Sequence, residues 1–216
     1  MPDLLLVGAS GLAREVQAAV QVAGSHRVVG VLDDDAGRHG SDLAGVPVLG
    51  DVLAAVDYPD AQLLLCVGHG SGRRGIAERL AAAGVTARRY ATVVHPSAQL
   101  AASCSVGAGS VILAGVVGTA SVTVGQHVVV MPNVTLTHDV VVGNYATLAA
   151  GVSLGGSVVV GQEAYLGMNT AVRQGLRVGY RSTLGMGGTL VSDLPPEEVW
   201  GGVPARLLPA SRRGQR

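Results

Sequence analysis

His138 and Asp139 form the most reactive neighbouring pair in this chain. An imidazole can take a proton from an attacking amine or hydroxyl near neutral pH, and a carboxylate beside it raises its basicity and holds one ring tautomer. Plainer roles compete: Asp139 as a turn residue, because Asn133, Asn169 and Asp193 recur in step with it, and His138 as a solvated or interfacial histidine. Gly8-Ala-Ser-Gly11, Asp33-Asp34-Asp35 and Gly68-His69-Gly70-Ser71 each close an apolar run. A glycine turn that enters a helix lets backbone N–H groups approach a phosphate, and an aspartate after a strand can accept hydrogen bonds from a ribose or base. His69 could touch a substrate or cap a helix. Cys66 and Cys104 have no evident activating base, so direct attack without an acyl-enzyme is the chemistry expected. His127 lies on a different corner from His138 and His95 stands far upstream, which leaves no histidine pair with metal-ligand spacing and no metal site expected.

Two kinds of architecture must position these residues. Over the first ninety residues, apolar runs Leu4 to Val7, Val28 to Leu32 and Gln62 to Val67 alternate with helical spacing at Arg14 to Val22 and Arg73 to Ala83. That alternation predicts a small Rossmann-like parallel α/β domain over 1–92, with ligands at the carboxyl ends of its strands. From Val94 to Leu190 every sixth residue is aliphatic except Gly118, and glycine follows at every third step (Gly107, Gly125, Gly143, Gly161, Gly179). The repeat is therefore an eighteen-residue coil of three six-residue sides, a β-solenoid over 93–193. Residues 194–216, broken by Pro195-Pro196 and Pro204, form a cap and tail.

Strand alternation turns the residue two before each aliphatic inward and the one between them outward. Cys104 is then a buried small residue, while Val111 with Val129 and Val141 with Val159 form outward apolar columns. Such columns imply a seam between subunits, and a three-sided prism makes a homotrimer the first expectation. Open β-edges need covers, for which the amino-terminal domain at one end and the proline-rich tail at the other are available.

Composition narrows the partners. Fifteen basic and fifteen acidic residues cancel, and only 3% are aromatic, so neither the charge nor the stacking groups of a nucleic-acid binder are present. The basic run from Arg212 to Arg216 reads as a frayed terminus. Two cysteines, no signal peptide and no membrane-length apolar run point to a cytoplasmic location and no membrane partner.

The ordered motifs Val7-Gly-Ala-Ser-Gly11, Leu32-Asp33-Asp34, Val46-Pro-Val-Leu-Gly50, His95-Pro-Ser-Ala98, His138-Asp139 with Val142-Gly143-Asn144-Tyr145, Leu154-Gly155-Gly156, Leu166-Gly167-Met168-Asn169 and Gly202-Val-Pro-Ala-Arg206 run through nearly the whole chain. On them the chain resembles the bacterial sugar N- and O-acetyltransferases that join a Rossmann-like domain to a left-handed β-helix of hexapeptide repeats. These include enzymes of UDP-4-amino-sugars, GDP-perosamine and sialic acids. The resemblance implies acetyl-CoA as co-substrate, His138 as general base and Asp139 as the acidic partner that raises its basicity. It implies that Gly8, Ser10, Gly11, Asp33, Asp34 and Gly50 line a sugar-nucleotide pocket. It places coenzyme A between neighbouring β-helices of a trimer, near Gly156, Gly167, Met168 and Gly185. Three positions depart from the pattern: Leu12 and Thr147 stand where histidines are common, and Met186 where glycine is frequent. Acetylation of an amino group on a nucleotide-linked sugar is the leading expectation, with sugar O-acetylation and a non-catalytic scaffold as alternatives.

Overall fold

The computed structural model describes residues 1–209, so the basic run Arg212 to Arg216 lies outside the described residues. The amino-terminal unit runs β1 (Asp3–Val7), α1 (Gly11–Ala23), β2 (Arg27–Leu32), β3 (Asp42–Leu43), β4 (Val46–Gly50), β5 (Gln62–Leu65) and α2 (Gly70–Ala82). Its sheet has the order β3-β4-β2-β1-β5, parallel except for the β3–β4 hairpin. Helix α1 starts where the extended Ser10 caps it, its hydroxyl accepting from the Ala13 N–H at 3.2 Å, and stops at the left-handed Gly24. It buries Ala13, Val16, Ala19 and Val20, one face at helical spacing.

Beyond residue 92 the chain coils into a parallel β-helix with three faces. Successive strands pair eighteen residues apart, as Val117 with Thr135 and Thr135 with Ser153. The first face begins at Val93–Val94, the second at Gln99–Leu100 and the third at Ser105–Val106. From Ile112 to Leu190 the sixth-residue aliphatics are buried in one core, each removing its side chain from water at a gain of roughly 1.5–3 kcal/mol. Gly118 leaves no void: a Cβ there would lie 2.8 Å from Leu100 Cδ2, so that leucine already fills the place. Gly107 and Gly143 are needed for another reason. A Cβ at either would lie 2.6 Å from backbone atoms of the next coil.

Corner residues recur in the left-handed conformation every six positions, among them His127, Asn133, Asp139, Tyr145, Glu163 and Asn169. Asp and Asn tolerate it best among side-chain-bearing residues, so the turn role of Asp139 is real. Asp193 is the exception in its series. The eighteen-residue step shortens there, Leu194 pairing with Val178, and the Asp193 carboxylate instead accepts from the Arg177 N–H at 2.8 Å.

Two expectations are corrected. The amino-terminal domain lies along the first face instead of over the end of the prism, with Val93, Val111 and Leu113 joining Val16, Ala19 and Val20 of α1 in one cluster. Val111 and Val129 are consequently 0% and 2% exposed, covered by their own chain rather than by a neighbour. Val141, on the third face, remains 41% exposed. At the other end Leu194, Trp200 and Ala205 close the core, and Val199–Gly201 pairs with Thr183–Leu184 on one side and, antiparallel, with Arg206–Leu207 on the other.

Candidate functional site

His138 and Asp139 stand at the corner between the second and third faces. His138 Nδ1 lies 2.8 Å from Asp139 Oδ2, and both side chains are open to solvent in the single chain. An ionised carboxylate only accepts, so Nδ1 carries the proton and Nε2 presents its lone pair. The coil below brings Gly156 directly beneath the ring: a Cβ there would run into Nε2 and Cε1 and lie 3.0 Å from Cδ2. The Ser157 N–H donates to the His138 carbonyl at 2.8 Å, which fixes that stacking. Hence an imidazole with a defined tautomer sits over a glycine on a rigid corner.

Next to it an apolar groove of about 460 Å³ runs along the second face, lined by Thr135, Thr137, Ser153, Gly155, Ala171 and Arg173 among others. Gly167, Met168, Gly185 and Met186 occupy the opposite edge of that face, at the corner with the first. The four residues expected to meet coenzyme A are therefore split: Gly156 lies against His138, the other three across the face. Gly167 also has a packing reason, since its Cβ would lie 2.6 Å from Met186 N. Met168 borders a second apolar cavity of about 450 Å³ between α1 and the corner residues His95, Met131 and Pro132. Met186 is 73% exposed and walls off nothing in the single chain.

The predicted nucleotide residues gather at the carboxyl edge of the parallel sheet. Gly8 has φ +108°, and a Cβ on it would lie 3.1 Å from the Cys66 carbonyl oxygen, so the turn after β1 admits only glycine. Ser10 donates to that carbonyl at 2.6 Å. Asp33 accepts from Ala9 N–H at 2.6 Å and from Asp35 N–H at 2.9 Å, and its own N–H donates to Gly50 O at 2.9 Å. Asp34 accepts from Arg79, whose guanidinium holds that carboxyl below the usual carboxylate range. Gly11 is exposed at the start of α1. Arg38, which sequence reasoning passed over, donates to the Ala9 carbonyl from the far side of this edge.

Two of the departures acquire physical roles. Leu12 is half-buried against the apolar cluster that α1 shares with the sheet and the first face, so its side chain is part of the packing. Thr147, which stands where a histidine is common, is 5% exposed, and its hydroxyl donates to Gly68 O at 2.8 Å while accepting from Arg73.

Arg73 is the functional candidate that sequence reasoning missed. It is fully buried, although burial lowers its pKa only to about 10, so it is cationic at neutral pH. A signal existed in its spacing, for Gly70, Arg73, Ala77 and Leu80 form the buried stripe of α2. Nearby, His127 is stacked on Tyr145 and met edge-on by Tyr90. Burial, then the charge of Arg73, push its pKa down to about 4, which makes it a neutral core residue. His69 begins α2 without a side-chain cap bond, its ring centroid 5.6 Å from that of Tyr165. Burial pushes the Cys66 thiol up to about 12, which removes it as a nucleophile. No cluster of metal-ligating side chains occurs among the described residues, and no helix among them is long and apolar enough to cross a membrane.

Comparison with known proteins follows the same division of the chain. Residues 3–80 match the family model "PglD N-terminal domain", and residues 121–156 match "Bacterial transferase hexapeptide (six repeats)". The chain is similar to the UDP-N-acetylbacillosamine N-acetyltransferase of Bacillus subtilis (strain 168), 30% identical over 119 residues, a match spanning 53% of this chain and 52% of that protein. It is similar over nearly its full length to the acetyltransferase domain of PglB from Neisseria gonorrhoeae FA1090 in complex with acetyl coenzyme A. There the TM-score is 0.87 with 30% identity, covering 96% of this chain and 99% of that one. A mutant of GDP-perosamine N-acetyl transferase from Caulobacter crescentus, in complex with CoA and GDP-perosamine, superposes with a TM-score of 0.88. Its identity is 27%, with 97% and 98% of the two chains covered.

Proposed function

We propose that this chain, which belongs to the hexapeptide-repeat acetyltransferases with a PglD-type amino-terminal domain, moves an acetyl group from acetyl-CoA to the amino group of a nucleotide-linked amino sugar. The observation that carries this reading is the His138–Asp139 pair at 2.8 Å, with Nδ1 tied down and Nε2 free above Gly156. Full-length similarity to proteins solved with acetyl coenzyme A and with GDP-perosamine supports the choice of both substrates.

In this mechanism the neutral amine attacks the thioester carbonyl, forming the C–N bond. Nε2 of His138 accepts the amine proton, and Asp139 stabilises the imidazolium and keeps the ring oriented. The tetrahedral oxyanion collapses with cleavage of the C–S bond, and the imidazolium returns its proton to the departing thiolate. The nucleotide lies at the carboxyl edge of the parallel sheet, near Gly8, Ser10, Gly11, Asp33, Asp34 and Gly50. Because Ser10 and Asp33 already use their side chains internally, they shape the edge, and backbone N–H groups supply the contacts. The pantetheine arm follows the groove on the second face, between the Gly156 edge and the edge carrying Gly167, Met168 and Gly185.

A trimer completes the site. The first face is occupied by the chain's own amino-terminal domain, so the second and third faces are the ones free to meet neighbours, and the exposed Val141 belongs to that surface. Incubation with acetyl-CoA and a panel of UDP-, GDP- and CMP-linked sugars and free sugars, read by mass spectrometry, tests the substrate class. N-acetylation of a UDP- or GDP-linked amino sugar is the expected result. Acetyl esters on hydroxyl groups of CMP-linked or free sugars, with no amide product, would overturn it.

A further inference from the structure

Arg73 bridges the two domains through its whole guanidinium group. Nε donates to His127 O at 2.8 Å; Nη1 donates to Val67 O at 2.7 Å and Gly68 O at 2.9 Å. Nη2 donates to Tyr145 O at 2.7 Å, Ala146 O at 2.9 Å and Thr147 Oγ1 at 3.0 Å. The acceptors fall into two groups. Val67 and Gly68 form the turn after β5, at the same sheet edge as Gly8 and Ser10, and Ser10 is itself bonded to the preceding Cys66 carbonyl. His127, Tyr145, Ala146 and Thr147 belong to two successive coils of the solenoid, the second of which follows His138 within a few residues. None of the acceptors is a carboxylate, so the bridge is a set of geometric constraints and not an ion pair.

The contact leaves no slack. A Cβ on Gly70, the first residue of α2, would run into Tyr145 O and lie 3.1 Å from Glu163 Cα, so the helix start rests on the solenoid backbone itself. Thr147 Oγ1 closes the ring by bonding both Arg73 and Gly68 O. Because a trans peptide sets its C=O and N–H in opposite directions, carbonyls drawn down to Arg73 turn the N–H groups of Gly68 and His69 away from it. Neither N–H has an acceptor among the described residues.

We propose that Arg73, with Thr147, is a positioning residue: it holds the Val67–Gly68 turn of the nucleotide edge in register with the coil adjoining His138. The nucleotide edge is thereby fixed to the solenoid through one side chain. This rests on the reading that the sheet edge receives a nucleotide.

Thr147→Val tests it with little risk to the fold, since the two side chains have nearly the same shape and Arg73 keeps its carbonyl acceptors. Two readouts are taken. Amide hydrogen exchange, measured without any substrate, is expected to speed up about tenfold at Arg73 to Ala77, the first bonded amides of α2 after that turn, and to stay unchanged in α1 and the distal coils. The KM for the nucleotide-linked sugar is expected to rise roughly fivefold, the loss of one net hydrogen bond, with kcat and the KM for acetyl-CoA unchanged. Arg73→Lys, which keeps the charge but loses the fork, gives a larger change of the same pattern if it folds. Unchanged exchange at Arg73 to Ala77 in Thr147→Val overturns the proposal, and so does faster exchange with an unaltered nucleotide KM. If the wild-type protein acetylates no nucleotide-linked sugar, the functional reading fails separately, and the exchange measurement alone still decides whether the turn is held this way.

Discussion

Gly156→Ala should disable the enzyme while leaving the fold intact. Gly156 carries no positive φ, so alanine fits its backbone, and the three atoms nearest to the added methyl all belong to the His138 imidazole. The added methyl would lie 3.0 Å from Cδ2 and closer still to Nε2 and Cε1. Ordinary carbon–carbon contact is ~3.5–4.0 Å, so the ring must withdraw by about 1 Å. His138 has a side chain that is 64% exposed and can swing outward at little expense to packing. That swing breaks the 2.8 Å alignment with Asp139 and carries Nε2 away from the amine. A displacement of this size costs on the order of 100-fold in rate, whereas the melting temperature should move by less than about 2 °C. Release of free thiol from acetyl-CoA under saturating substrates gives kcat, and scanning calorimetry gives the melting temperature. A kcat within twofold of wild type, with the melting temperature unchanged, would show that the imidazole does not work from above Gly156.

Two further outcomes follow from buried and exposed residues elsewhere. His127 titrates near about 4 in the fold, against ~6.5 for an unfolded histidine. The unfolded chain therefore takes up the proton first, so stability is full above about pH 6.5 and falls as the pH drops towards 4, by about 3 kcal/mol. Urea unfolding at pH 7.5 and 4.5 should show this loss in the wild type and a smaller one in His127→Asn; equal losses would refute the assignment. Val141→Glu places a charge on the outward column of the third face. Sedimentation should show a trimer reduced to monomers with secondary structure retained, and an unchanged mass would remove that face from the interface.

The solenoid was legible because its backbone admits one residue type at one spacing: an aliphatic at each sixth position and a glycine where two coils touch. Register followed with it, and so did the placing of His138 and Asp139 at a corner. What covers each outward column was not legible. Val111 and Val141 present the same alternation, yet one lies under α1 and the other faces water, a difference set by how the amino-terminal domain docks. Thr147 and Leu12 stand where histidines are common, yet the one bonds across the domain interface and the other packs against an apolar cluster, which the residue types alone do not reveal. Arg73 was hidden by its charge, since an arginine on a helix is ordinarily solvated. Only its place in the stripe of Gly70, Ala77 and Leu80 signalled burial.

The central claim is that His138 removes the proton of a sugar amine during direct transfer from acetyl-CoA. Its most direct test is kcat/KM of His138→Ala for the nucleotide-linked amino sugar accepted by the wild type, with acetyl-CoA binding measured by calorimetry on the same preparation. A fall of roughly 100- to 10,000-fold, with acetyl-CoA affinity preserved, is the predicted result. Turnover within a few-fold of wild type would contradict the account.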